Sequence, residues 1–86
     1  MIDNYEQVQK IFAERFSEVE DMIAKKHHIT LGEIAEKIGV NPTTAYAWRR
    51  RGRSFPRIGE LRNICLKFGV SADYLLGLSN YKGIRR

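Results

Sequence analysis

The sequence predicts an all-α domain built from five helices. Apolar residues recur at spacings of three and four along most of the chain, and no stretch alternates as a strand does. Capping residues precede several of these segments, and glycines follow them. A length of 86 residues allows one hydrophobic core but not two, and 43% hydrophobic residues with two prolines are typical of a folded chain. We therefore expect residues 1–86 to form a single domain.

The first helix begins near Tyr5 and continues for about five turns. Its apolar positions fall on one face: Tyr5, Val8, Ile11, Phe12, Phe16, Val19, Met22 and Ile23. The basic residues of the following "KKHHIT" suit the negative end of the helix dipole, so we expect the helix to end there.

Two short helices follow, joined by a tight turn. Thr30 and Glu33 have the S/T-x-x-E spacing of a capping box, which starts the second helix, and Gly39 supplies a left-handed end. Asn41, followed by a proline, is an N-cap that starts a third helix ending near residue 50. Helices so closely joined must cross steeply, so residues 30–50 predict a helix-turn-helix.

Two further helices complete the predicted domain. The apolar stripe of the fourth consists of Ile58, Leu61, Ile64, Cys65 and Phe68, and Gly69 ends it. Ser71 is the N-cap of a fifth helix, "ADYLLG". Residues 79–86 show no periodicity and predict a flexible basic tail.

Charge is distributed unevenly along the chain. Residues 1–24 contain six acidic and two basic residues, a net charge of −4, whereas residues 25–86 contain thirteen basic and four acidic residues, a net charge of +9. Five arginines lie between positions 49 and 57, with no acidic residue among them. A basic body of this kind favours a nucleic acid as the partner, and the acidic first segment should lie away from it.

A helix-turn-helix can place its second helix in the major groove of DNA, and residues 16–78 resemble the Cro/CI-like (XRE) family of bacterial and phage repressors. Ala35, Gly39 and Trp48 match the small, glycine and apolar positions of that family's motif, and "FGVSADYLLGL" is similar to its usual ending. The resemblance implies a lambda-repressor-like domain that binds a palindromic operator as a homodimer or higher oligomer. It also implies repression of transcription. The single cysteine, Cys65, cannot form an internal disulfide and suits a reducing cytoplasm, and no cofactor is expected.

Three positions depart from the family's pattern. Leu31 stands where the family often has a glutamine that reads a base or phosphate, so that role is not carried over. Ala45 replaces a larger apolar residue, and we expect Trp48 to fill the space. Residues 49–51 are three arginines before the loop glycine, where the family typically has an acidic residue and one more. The change from acidic to basic favours contact with phosphate.

The third helix has a predicted inner and a predicted outer face. Ala45 and Trp48 are three residues apart and should pack inward. The outer face should meet base edges in the groove, while the first turn of the helix and the arginines should meet phosphates. The candidate DNA-binding residues are Asn41, Thr43, Thr44, Tyr46, Ala47, Arg49, Arg50, Arg51, Arg53 and Arg57.

Residues 1–15 form a helical extension beyond what the resemblance requires of a first helix. We expect its apolar residues Tyr5, Val8, Ile11 and Phe12 to be exposed in a monomer, which is unfavourable unless another surface covers them. We therefore predict that they contact a second copy of the chain or another protein, such as an antirepressor.

No pattern of a catalytic or metal site is found in the sequence. His27 and His28 are adjacent and point apart on a helix end, which predicts surface side chains. Cys65, on the apolar stripe of the fourth helix, predicts a buried structural thiol. We therefore expect no enzyme and no metal, and the lack of a long apolar segment predicts no membrane span.

Two other functions stay open on the sequence alone. One is an interaction module such as an antitoxin, which binds DNA only secondarily and co-purifies with its partner. The other is binding of RNA or DNA through the arginines without sequence preference. A specific operator-binding protein should prefer its site over random duplexes by about 10³ or more.

Overall fold

The computed structural model describes residues 5–50 and 55–83. These residues form five helices: α1 Tyr5–His27, α2 Leu31–Lys37, α3 Pro42–Trp48, α4 Ile58–Phe68 and α5 Ala72–Leu75. No strand occurs in these two ranges, so the prediction of an all-α fold with five helices is confirmed for them. None of the described helices is both long and apolar enough to cross a membrane.

The helix boundaries follow the capping signals. The Thr30 N–H donates to Oε1 of Glu33 at 2.8 Å, and the Glu33 N–H donates to Oγ1 of Thr30 at 3.1 Å, which is the predicted capping box. Oγ of Ser71 accepts a hydrogen bond from the N–H of Tyr74 at 3.0 Å and starts α5. Gly69 ends α4 with φ at 71°, in the left-handed region that favours glycine.

The centre of the core is an aromatic cluster around α1. The ring of Phe16 lies 5.3 Å from Phe12, 5.7 Å from Trp48 and 6.2 Å from Phe68, measured between ring centroids. These rings come from α1, α3 and α4. Contacts between aromatic rings contribute about 0.5–1.5 kcal/mol each beyond the burial of their surface. The cluster therefore joins three helices that are far apart in sequence.

The N-terminal part of α1 packs against the domain rather than projecting from it. Phe12 is fully buried, so the expectation that it is exposed in a monomer is wrong. Its ring lies 5.1 Å from that of Phe55, in the loop before α4. Ile11 is half-buried against Gly77, where an added Cβ would lie only 3.0 Å from Cγ2 of Ile11. Helical spacing within α1 cannot reveal contacts with residues so distant in sequence.

Two other residues of the extension were predicted to contact a second copy of the chain or another protein. Val8 is half-buried. The side chain of Tyr5 lies outside the described part of the structure. A contact between copies near the start of α1 therefore stays a prediction, with Phe12 removed from it.

Two residues of the α4 stripe are less buried than the spacing predicts. Ile58 is 88% exposed, since it is the first residue of α4 and borders a surface groove together with Leu66. Cys65 borders the same groove and is half-buried rather than buried. This partial burial raises the pKa of its thiol. The core side of α4 is instead provided by Ile64, which is fully buried.

Arg15 attaches the C-terminal part of the chain to α1. Its guanidinium donates hydrogen bonds to the carbonyl oxygens of Tyr74 and Ser79 and to Oδ1 of Asn80, at 2.8, 2.7 and 3.0 Å. It also lies 4.4 Å from the centre of the Tyr74 ring. α1 thus supplies partners for Ser79 and Asn80 that their own sequence does not show, and the flexibility of residues 79–86 stays a prediction. Residues 84–86 lie outside the described residues.

We expect the domain to lose stability above about pH 10 through Tyr74. The phenol of Tyr74 donates a hydrogen bond to Oε1 of Glu18 on α1. This hydrogen bond to a carboxylate, together with burial, raises the pKa of Tyr74. A phenol with a raised folded-state pKa contributes stability that is complete below the unfolded value of about 10. That stability is lost as the pH rises through the folded value.

Urea unfolding at increasing alkaline pH measures this effect in the wild type and in Tyr74→Phe. The wild type should lose stability more steeply than the variant, which has no phenol at this position. Tyr81→Phe is the matched control because Tyr81 is exposed, and it should behave like the wild type. Parallel curves for wild type and Tyr74→Phe would contradict this role for Tyr74.

Candidate nucleic-acid interface

The turn between α2 and α3 holds the two helices close together. Gly39 has φ at 78°, in the left-handed region, which allows the chain to turn directly after α2. The N–H of Val40 donates to the carbonyl oxygen of Ala35 at 3.0 Å. Oδ1 of Asn41 then accepts a hydrogen bond from the N–H of Thr43 at 2.8 Å and starts α3, as predicted. The side-chain oxygen of Asn41 therefore caps α3, and a phosphate at Asn41 would have to accept from its Nδ2 amide instead.

α3 has one buried and one accessible face. Ala45 and Trp48 are 4% and 1% exposed, so the prediction that they pack inward is confirmed. The accessible face consists of Thr43 and Tyr46, which are exposed, and Thr44 and Ala47, which are half-buried. The structure thus places four of the candidate DNA-binding side chains on one side of a short, anchored helix.

The third helix ends earlier than predicted. Its last residue is Trp48, and Arg49 is the C-cap, whereas the sequence predicted a helix to about residue 50. The N–H groups of Arg49 and Arg50 donate to carbonyl oxygens three residues earlier, which tightens the last turn. Arg50 follows the helix, and its side chain is exposed.

Arg49 is held by acidic residues of α1. Its Nη1 lies 2.9 Å from Oε1 of Glu20, and its Nη2 lies 3.0 Å from Oδ1 of Asp21. The side chain of Arg49 is only 20% exposed. The prediction that Arg49 is available for phosphate, with no acidic residue to neutralise it, is wrong. The acidic partners lie 28 and 29 positions earlier in the sequence, so the local charge pattern did not show them.

A signal for this ion pair was present in α1. Glu20 lies four residues after Phe16 and one after Val19, on the stripe of α1 that enters the core. An ionisable side chain on a buried stripe needs a partner of opposite charge. As one of the six acidic residues of the segment 1–24, Glu20 does not by its charge alone indicate this role.

Only one of the two carboxylate oxygens of Glu20 has a hydrogen-bond partner among the described residues. Burial raises the pKa of Glu20, and the hydrogen bond and the charge of Arg49 oppose that rise. Oε1 accepts the hydrogen bond from Arg49. Oε2 is buried and has no hydrogen-bond partner among the described residues. Glu20 therefore stabilises the position of Arg49 and keeps one unsatisfied acceptor.

The remaining arginines of the predicted interface differ in what the structure describes. Arg57 is exposed, and its backbone N–H donates to Oε1 of Glu60 at 2.8 Å at the start of α4. Arg51 and Arg53 lie outside the described residues. Among the described arginines of the cluster, Arg50 and Arg57 are therefore the two with exposed side chains.

The two histidines are surface residues. His27 and His28 are both exposed, which confirms their predicted position. Within the described ranges, no group of three or more metal-ligating side chains lies close enough to hold an ion.

Comparison of the chain with protein-family models, with curated proteins and with solved structures found no match.

Proposed function

We propose that the protein binds double-stranded DNA sequence-specifically and represses transcription, with α3 in the major groove of its operator. The division of α3 into two faces carries this proposal. Trp48 and Ala45 anchor the inner face in the core, so the outer face is presented by a helix of fixed orientation. The hydroxyl groups of Thr43 and Tyr46 can hydrogen-bond base edges, and methyl groups on the same face can contact thymine.

The charge around α3 supports the same proposal. Between Glu36 and Glu60 the sequence has no acidic residue. Arg49 is neutralised by α1, which leaves four cluster arginines for phosphates: Arg50, Arg51, Arg53 and Arg57. If each contacts one phosphate, the logarithm of the binding constant should fall against the logarithm of salt concentration with a slope of about −3.6 per protomer.

The proposed complex is a homodimer or higher oligomer on a palindrome. Two symmetry-related copies of α3 read half-sites about 34 Å apart, which is one turn of DNA. An antirepressor that covers α3 or the start of α1 is a further proposed partner. Selection of bound sites from random duplexes, together with the mass of the complex in solution, tests the proposal. Enrichment of a palindrome and two protomers per site are expected.

Two substitutions beside each other on this surface should affect DNA binding differently. Tyr46→Ala should change which sites are enriched, because its side chain lies on the proposed base-reading face. Arg50→Ala should weaken all duplexes alike and reduce the salt slope by about 0.9, because it removes one phosphate contact. Competition binding to selected and random duplexes over a range of salt concentrations measures both effects.

The matched controls are Tyr81→Ala and Arg62→Ala. Both side chains are exposed and lie on other parts of the domain, so both variants should bind as the wild type does. A wild type with equal affinity for selected and random duplexes would overturn the proposed function. Identical effects of the Tyr46 and Arg50 substitutions would overturn the division of roles between them.

A further inference from the structure

A cleft of about 360 Å³ lies beside α3 and is bordered by α1 and the first turn of α2. Volumes above about 300 Å³ are typical of sites for small organic molecules. The apolar part of its wall consists of Leu31, Pro42, Ala45 and Tyr46, and the charged part consists of Glu20 and Arg49. An apolar wall with few polar groups is the composition expected of a ligand site.

Glu20 is the residue of this wall that has an unsatisfied hydrogen-bond acceptor. The residue is 1% exposed, and its Oε1 is paired with Arg49. Its Oε2 has no hydrogen-bond partner among the described residues. Buried carboxylate oxygens are nearly always hydrogen-bonded, because an unmade bond at a buried charged group is costly. A ligand that donates a hydrogen bond to Oε2 would remove this cost.

The ion-paired group at the α1 side of the cleft favours a cation over an anion. Arg49 is shared between Glu20 and Asp21, so two carboxylates face one guanidinium. With both carboxylates ionised, the group has a net charge of −1 and repels an anionic ligand. The ring of Tyr46, also in the wall, can contribute to the binding of a cation through its π face.

We propose that this cleft binds a small organic cation, a protonated amine on a compact apolar body, whose ammonium group donates to Oε2 of Glu20. Thr43 and Tyr46 line both the cleft and the proposed DNA-binding face. An occupied cleft therefore competes with DNA, a consequence that rests on the proposed function. The cation is in this sense an effector that releases the protein from its operator.

Titration with benzylammonium, followed by amide NMR spectra in the absence of DNA, tests the proposal. Saturable shifts are expected at residues that border the cleft, among them Gly32, Ala45 and Tyr46. Benzyl alcohol, which has a similar shape and no charge, should bind about tenfold more weakly or less. Equal affinity for the alcohol and the amine, or shifts scattered over the surface, would overturn the proposal.

Two variants locate the binding. Glu20→Gln should abolish the preference for the amine, while Glu36→Gln, which changes an exposed glutamate of α2, should leave it intact. Gly32→Leu adds a bulky side chain to the wall of the cleft and removes no atom of the Glu20–Arg49 pair. A Cβ at Gly32 makes an ordinary contact of 3.7 Å with Oγ1 of Thr30, so this variant should fold. Benzylammonium binding that survives in Gly32→Leu would place the ligand elsewhere and overturn the proposal.

Measuring amine binding and duplex binding on the wild-type protein distinguishes a failure of this inference from a failure of the proposed function. Saturable amine binding by a protein with no duplex preference would support the cleft and overturn the operator function. Specific operator binding without saturable amine binding would support the operator function and overturn the proposed ligand site in the cleft. Addition of benzylammonium to the operator complex should raise the apparent Kd for DNA in the wild type but not in Gly32→Leu. An unchanged Kd in the wild type would overturn the competition.

Discussion

Arg49→Ala is expected to lower the free energy of unfolding by about 3 kcal/mol, whereas Arg50→Ala should change it by about 0.5 kcal/mol or less. Arg49 is largely buried and pairs with Glu20 and Asp21, so its removal leaves the buried carboxyl of Glu20 without a partner. Arg50 is exposed, and its loss should affect DNA rather than the fold. The two neighbours therefore form an internally matched pair.

The effect of Arg49→Ala should also depend on pH. Glu20 has a raised pKa, so its stabilising contribution is complete below the unfolded value of 4.5 and is lost as the pH rises through the folded value. Without Arg49, nothing opposes the effect of burial, and the loss on ionisation should be larger. The difference in stability between wild type and Arg49→Ala should therefore be largest at neutral pH and smallest in mild acid.

Urea unfolding of the wild type and both variants at neutral and mildly acidic pH measures these differences in stability. Binding to duplex DNA measures the effect of Arg50→Ala on DNA. The double variant Glu20→Gln with Arg49→Ala is the control, because it removes the unpaired carboxyl along with its partner. It should recover part of the stability that Arg49→Ala loses. Equal stabilities of Arg49→Ala and Arg50→Ala would contradict the role assigned to the α1–α3 ion pair.

Trp48→Ala is expected to cost about 3–5 kcal/mol of stability, enough to unfold much of a domain of this size. Trp48 is one of the largest buried side chains, and its ring packs edge-on against Phe16 of α1. Its removal leaves a cavity between α1 and α3 at the point where α3 is anchored. Trp48→Phe, which keeps a smaller aromatic ring, should lose less.

Tyr46→Ala is the matched control for this substitution on the same helix. Tyr46 is 61% exposed, so the change should alter stability by about 0.5 kcal/mol or less. Thermal and urea unfolding followed by circular dichroism give both values. A Trp48→Ala protein as stable as Tyr46→Ala would contradict the view that Trp48 anchors α3.

The capping signals could be read from the sequence because they act over a few residues. Thr30 with Glu33, Asn41 with Thr43, and Ser71 with Tyr74 each form contacts within three positions. The inward position of Ala45 and Trp48 followed in the same way from the helical repeat. The accessible face of α3 was therefore predictable before its surroundings were known.

The burial of Phe12 and the attachment of the tail were not predictable in this way. Phe12 packs on Phe55, and Arg15 binds the backbone of Ser79, across separations of 43 and 64 positions. No periodicity within one helix contains such contacts, because they depend on how the helices are arranged in space. Phe12 is therefore covered by a residue that precedes α4, and Ile11 contacts one that follows α5.

The sequence by itself determined where the helices begin and which side of α3 faces the core, because hydrogen bonds and helical spacing within one turn decide these features. It did not distinguish Arg49 from Arg50, which are adjacent and identical in type. Only the tertiary structure separated them, because α1 brings Glu20 and Asp21 against one guanidinium and leaves the other exposed to solvent. The difference arises from burial and from charges distant in sequence, which no local pattern encodes.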